Sequence, residues 1–117
     1  DPRSKKFAIK TVTTGKECLE KLHTFQPDLL IVEFMLPQMH GIELLKAAKT
    51  LFPHIGAILS CYHGMVQNYR CAARLGANYF LDKPFTADHF FSIVDLFFQG
   101  KLQLNPISEK KTCDISP

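Results

Sequence analysis

None of the short loops by which α/β enzymes commonly cradle phosphates or present a nucleophilic serine occurs in this chain. There is no GxxxxGK followed by Ser or Thr, no GxSxG and no GxGxxG. That argues against a small hydrolase or nucleotide-binding enzyme. No apolar run is long enough to span a bilayer, and no charged-then-apolar leader opens the chain, so no membrane role is expected. Cys18, Cys61, Cys71 and Cys113 form no CxxC pair and no Cys/His set at metal-ligand spacing. Zinc is therefore not expected, and small apolar thiols suit a reducing cytoplasm, the expected location. A net charge of +3 is too weak to argue for nucleic acid, although Arg3, Lys5, Lys6 and Lys10 concentrate it near the N-terminus. Internal repeats and low-complexity segments are also missing.

What is present fits one globular domain: 117 residues, 46% of them apolar, with ten Phe as bulky core material. Strand and helix patterns alternate. Residues 7–13 are β-branched and bounded by Thr14-Gly15, a strand and a turn. Thr14 and Glu17 have capping-box spacing, and Cys18, Leu19, Leu22 and Phe25 then recur at helical intervals up to Pro27. Residues 29–34 form a continuous apolar strand with the carboxylate Glu33 at its carboxyl end. After a loop from Pro37 to Gly41 come Leu44, Leu45, Ala48, Leu51 and Phe52, a second helical stripe stopped by Pro53. Residues 55–61 read as a strand, His63-Gly64 as a loop and 66–75 as a helix closed by Gly76. Residues 78–81 read as a short strand that Lys83-Pro84 breaks. Thr86 can cap a last helix running to about Gln99.

Such alternation implies a parallel, wound α/β sheet, and ligand chemistry in these sheets gathers at the carboxyl ends of strands. Three polar residues fall there: Glu33, Ser60 and Lys83. A carboxylate closing a greasy strand is costly unless it has work to do. Plainer roles stay open, with Ser60 a small strand-end residue, Phe80 a core side chain and Lys83 an ion-pair partner for Glu33.

The segments "PDLLIVEFMLPQMHGIELLKAAK", "GAILSCY" and "GANYFLDKPF" stand in this order and resemble response-regulator receiver domains of the CheY-like superfamily. The resemblance covers roughly residues 7–99. It implies a flavodoxin-like, receiver-type parallel sheet with alternating strands and helices, four βα units being visible instead of five. It places Glu33 at the phosphoacceptor position, Ser60 and Phe80 at the hydroxyl and aromatic switch positions, and Lys83 at the phosphate-pairing lysine. Pro84 becomes a cis-proline candidate, and Met35 falls where a backbone carbonyl would help hold Mg²⁺.

Two departures bear on that chemistry. The family's acceptor is normally aspartate; glutamate is one methylene longer, and a misplacement of about 1 Å can cost roughly 10²-fold in rate. The family's first strand and helix, whose strand supplies an acidic pair for Mg²⁺, are not recognisable ahead of Phe7. No cofactor is therefore expected, with Mg²⁺ binding only if missing residues supply an acidic pair. The missing strand would be central, leaving a gap of about 10 Å unless another segment fills it. The last helix is apolar almost all round, which makes Phe90, Phe91, Phe97 and Phe98 interface candidates and a homodimer the expected state.

The domain plan expected is an N-terminal arm or tag remnant over 1–6, a truncated receiver-like domain over 7–100 and a polar tail over 101–117. The function expected is a non-enzymatic pseudo-receiver: a cytoplasmic signalling module acting by protein–protein contact, without aspartyl phosphorylation or nucleic-acid binding. The alternative is a fragment of a longer two-component response regulator whose missing N-terminal segment restores the acidic Mg²⁺ pocket.

Overall fold

Thr14 and Thr86 each start a helix in the way their sequence neighbours imply. The Thr14 hydroxyl accepts a hydrogen bond from the Glu17 amide at 3.1 Å and opens α1, Gly15–Phe25. The Thr86 hydroxyl accepts from the His89 amide at 3.0 Å and opens the last helix, α3, Ala87–Phe98. Each side-chain oxygen satisfies an amide that has no partner inside its helix. Between them lie β1 (Leu29–Glu33), β2 (Met35–Leu36), β3 (Met39–His40), α2 (Gly41–Leu51), β4 (Gly56–Tyr62) and β5 (Tyr79–Lys83). The computed structural model describes residues 7–36, 39–62, 73–74 and 76–102. The arm over 1–6, Pro37, the His63-Gly64 loop, most of the helix expected over 66–75 and the tail beyond 102 lie outside the described residues.

The main sheet is parallel, in the order β1-β4-β5. β4 is the middle strand and is buried from Gly56 to Cys61. Its alternation sorts the core into two layers. Ala57, Leu59 and Cys61 join Val32 and Phe80 under α1 and α2, around Leu22, Leu45 and Ala48. Ile58 and Leu81 face the other way, against Ile93 and Phe90 of α3. Gly56 lies directly against the Phe97 ring, where a Cβ would find no room.

Residues 7–13 depart from expectation. Their β-branched composition predicts a strand, yet they lie outside both sheets, and the main sheet has three strands among the described residues. Propensity alone does not make a strand; an edge within hydrogen-bonding reach is also required. Instead, a cavity of about 940 Å³ separates residues 7–14 from β1, with Phe90, Phe91 and Val94 of α3 along its wall. One edge of β1 has no strand partner among the described residues, and Ile31 on that strand is 38% exposed. Ile9 is 56% exposed.

The apolar last helix packs more of itself inward than its composition implies. Phe91, Ile93 and Val94 are buried, and Phe90 and Phe97 are half-buried. Phe98 is exposed and stacks on Phe7 with ring centroids 5.4 Å apart. Among the described residues no helix is long and apolar enough to cross a membrane.

Candidate functional site

The carboxyl end of the parallel sheet gathers the polar residues singled out from sequence. In register, Glu33 stands beside Ser60, Ser60 beside Leu81, and Tyr62 beside Lys83. Paired residues of a parallel sheet point to one side, so Glu33, Ser60, Tyr62 and Lys83 share the α3 face. Phe80 belongs to the opposite face. It is 2% exposed within the layer under α1 and α2, so the sheet separates it from the Glu33 cluster.

Glu33 is fixed from behind by backbone. The Phe34 amide donates to the Ser60 carbonyl at 2.7 Å, and the Gly41 amide donates to the Phe34 carbonyl at 2.8 Å. Gly41 opens α2 so close to the Glu33 carbonyl and the Phe34 Cα that a side chain there would collide with main chain. The loop glycine read from sequence is therefore a close-approach residue. The Phe34 ring meets His40 edge-on, with centroids 4.2 Å apart. Met35 pairs with His40 across the small hairpin and is 61% exposed.

Lys83 Nζ lies 2.7 Å from Glu33 Oε1, a direct ion pair and hydrogen bond. The lysine is 21% exposed and the glutamate 55%. The ammonium also lies 5.4 Å from the centroid of the Tyr62 ring. Ser60 is 3% exposed and belongs to the strand between them. The Lys83-Pro84 peptide bond is cis. A pocket of about 310 Å³ opens here, lined by Glu33, Met35, Ser60, Tyr62 and Lys83 with Phe34 and Cys61.

Sequence reasoning brought Glu33, Ser60 and Lys83 to one place, and the structure brings the same three together. It missed Tyr62. The signal was available in the period of the strand, since Tyr62 is two residues beyond Ser60 and must share its face.

The residues do not fit a Mg²⁺ ion. That ion takes one or two protein carboxylates in near-octahedral geometry. Among the described residues Glu33 is the one carboxylate lining the pocket, and its Oε1 already accepts from Lys83. Asp82, next in sequence to Lys83, stands in register with Cys61 on the other face of the sheet. Among the described residues no group of three His, Cys, Asp or Glu side chains can hold a metal.

Lys49, outside the pocket, was not foreseen. Its ammonium donates to the Ile55 carbonyl just ahead of β4, and burial pushes its pKa down. It ties α2 to the start of the middle strand.

Comparison with known proteins agrees with this architecture. The family model for the response regulator receiver domain matches residues 3–95. Regulatory protein LuxO of Vibrio cholerae is 35% identical over 80 residues, covering 68% of this chain and 18% of that protein. The DNA-binding transcriptional regulator NtrC of Klebsiella pneumoniae is 34% identical over 89 residues, covering 76% of this chain and 19% of that protein. The crystal structure of the signal receiver domain of a LuxO repressor protein from Vibrio parahaemolyticus superposes with a TM-score of 0.76 at 26% identity. It covers 86% of this chain and 78% of that one. The chain thus spans about a fifth of the length of these curated relatives.

Proposed function

The chain belongs to the response regulator receiver domain family, and we propose that it is a pseudo-receiver that signals by protein–protein contact without an aspartyl phosphorylation cycle. The observation that carries this reading is the 2.7 Å contact between Glu33 and Lys83. The residue at the acceptor position spends its charge on the lysine at the phosphate-pairing position. Each neutralises the other, so the pocket holds one charge arrangement with no phosphoryl group.

The chemistry follows from the donor set. Phosphoryl transfer rests on in-line positioning and on cations that neutralise the charge developing on the phosphoryl oxygens. Here Lys83, the one cation lining the pocket among the described residues, is engaged by the carboxylate that would have to attack. Glu33, Ser60 and Lys83 then serve as a fixed set that shapes the exposed rim formed by Met35 and Tyr62, a surface for a protein partner. Beryllofluoride with Mg²⁺, followed by fluorine NMR, tests this reading. A bound resonance at stoichiometric protein would overturn it, and only free fluoride species are expected.

A specific observation favours a second reading. A cavity of about 940 Å³ lies beside the edge of β1 that has no strand partner among the described residues, where one more strand would pair. In this reading the chain is a piece of a longer response regulator, and a strand and helix supplied from elsewhere in that polypeptide complete the sheet. DNA-binding output of the kind named for NtrC would then belong to the longer protein, not to this domain. A homodimer in the cytoplasm remains part of the first reading, with the open β1 edge and Phe98 as the surfaces to be covered. Light scattering at high micromolar concentration separates the two, because a monomeric mass contradicts the dimer.

A further inference from the structure

Resting on the pseudo-receiver reading of this site, we propose that Tyr62 is a positioning residue whose ring face holds the Lys83 ammonium on Glu33. Three features carry the inference. Tyr62 and Lys83 are register partners on neighbouring parallel strands and so face the same side. The ammonium lies 5.4 Å from the ring centroid, inside the roughly 6 Å within which an aromatic face attracts a cation. Tyr62 is also the one exposed residue of β4, at 60%, where Gly56 through Cys61 are all buried.

That exposure matters. The core does not recruit the ring, yet the ring stands at the rim of the pocket beside the Lys83 ammonium. A partly exposed ion pair is held only weakly by its own charges. A second partner acting on the same ammonium narrows the lysine's choices at little entropic cost, because an aromatic ring has only two side-chain torsions to fix. Of Glu33, Tyr62 and Lys83, the lysine is the least exposed, at 21%, as expected for a group held from two sides. Tyr62 thereby sets how readily Lys83 leaves Glu33 for an anion. The attraction is to the ring face, so the phenolic hydroxyl is dispensable and phenylalanine should serve as well.

The test uses the full chain and two variants, Tyr62→Phe and Tyr62→Leu, followed by NMR. In the wild type and in Tyr62→Phe, the Lys83 ε-methylene protons should be shifted upfield by the ring, and in Tyr62→Leu that shift should vanish. Inorganic phosphate, titrated as the probe on the Lys83 resonances, should bind Tyr62→Leu about two- to fivefold more tightly than the other two proteins. An unshifted lysine in the wild type, a Tyr62→Phe protein that behaves like Tyr62→Leu, or equal phosphate affinity in all three would overturn the assignment. The Glu33–Lys83 pair is read separately, from the Lys83 shifts in Glu33→Gln. A pair that persists without the ring shift overturns the role of Tyr62 and leaves the pseudo-receiver reading standing.

Discussion

Lys83 Nζ reaches Glu33 Oε1 at 2.7 Å although β4 stands between the strands that carry them. Two strand spacings of about 4.8 Å separate β1 from β5, so only long side chains close that span. The residue beneath the bridge is Ser60, small and buried. Glutamate, with one methylene more than aspartate, is well suited to this reach. The pair is the reason Glu33 is proposed to act as a fixed charge.

Because the pair is partly exposed, its energetic worth is modest. A double-mutant cycle with Glu33→Gln and Lys83→Met, measured by urea unfolding, is expected to give a coupling of about 0.2–1 kcal/mol. That coupling should shrink as salt is raised. A salt-independent coupling would mean that the two residues interact through packing.

Gly41→Ala should be costly. The added Cβ would meet the Glu33 carbonyl and the Phe34 Cα, main-chain atoms that cannot swing aside. Overpacking of this kind costs about 1–3 kcal/mol, and here it should also disturb the Glu33 backbone amide resonance. An unchanged urea midpoint would contradict the close approach.

Thr14→Ala and Thr86→Ala each remove a hydroxyl that accepts a helix-starting amide. Each should cost about 1 kcal/mol. The two caps serve separate helices, so their effects should add in the double variant, as read by chemical denaturation.

A buried thiol and a half-buried amine give the stability a pH signature. Burial pushes the Cys18 thiol above its ordinary 9.0. Above that pH the unfolded chain ionises first while the folded one keeps its proton. The contribution of Cys18 is thus fully present below 9.0 and is lost as pH rises through the folded value. Lys49 has the opposite sign, since burial lowers its amine from 10.5 and the unfolded chain holds the proton longer. Stability from Lys49 rises with pH between its folded value and 10.5. Urea midpoints across this alkaline range should fall less steeply in Cys18→Ala, and the Lys49-linked rise should disappear in Lys49→Met.

Much of this arrangement was legible in the sequence because each signal was local. Thr14 and Thr86 announced their helices through the residues three places on. The apolar run ending at Glu33 announced a strand of a parallel sheet, although only Val32 of that strand is buried. Glu33, Ser60 and Lys83 followed from one rule, that strand carboxyl ends share an edge of the sheet. What escaped needed neighbours that sequence does not name. Residues 7–13 have the composition of a strand but face a cavity instead of an edge. Lys49 gave no sign at all, since a lysine on an amphipathic helix usually points to water.

The central claim is that Glu33 is held by Lys83 and does not accept phosphate. Intact-mass measurement after incubation with Mg²⁺ and acetyl phosphate tests it most directly, because an acyl phosphate adds the mass of one phosphoryl group per chain. The mass is expected to stay unchanged. A stoichiometric increment that localises to Glu33 and is abolished in Glu33→Gln would contradict it.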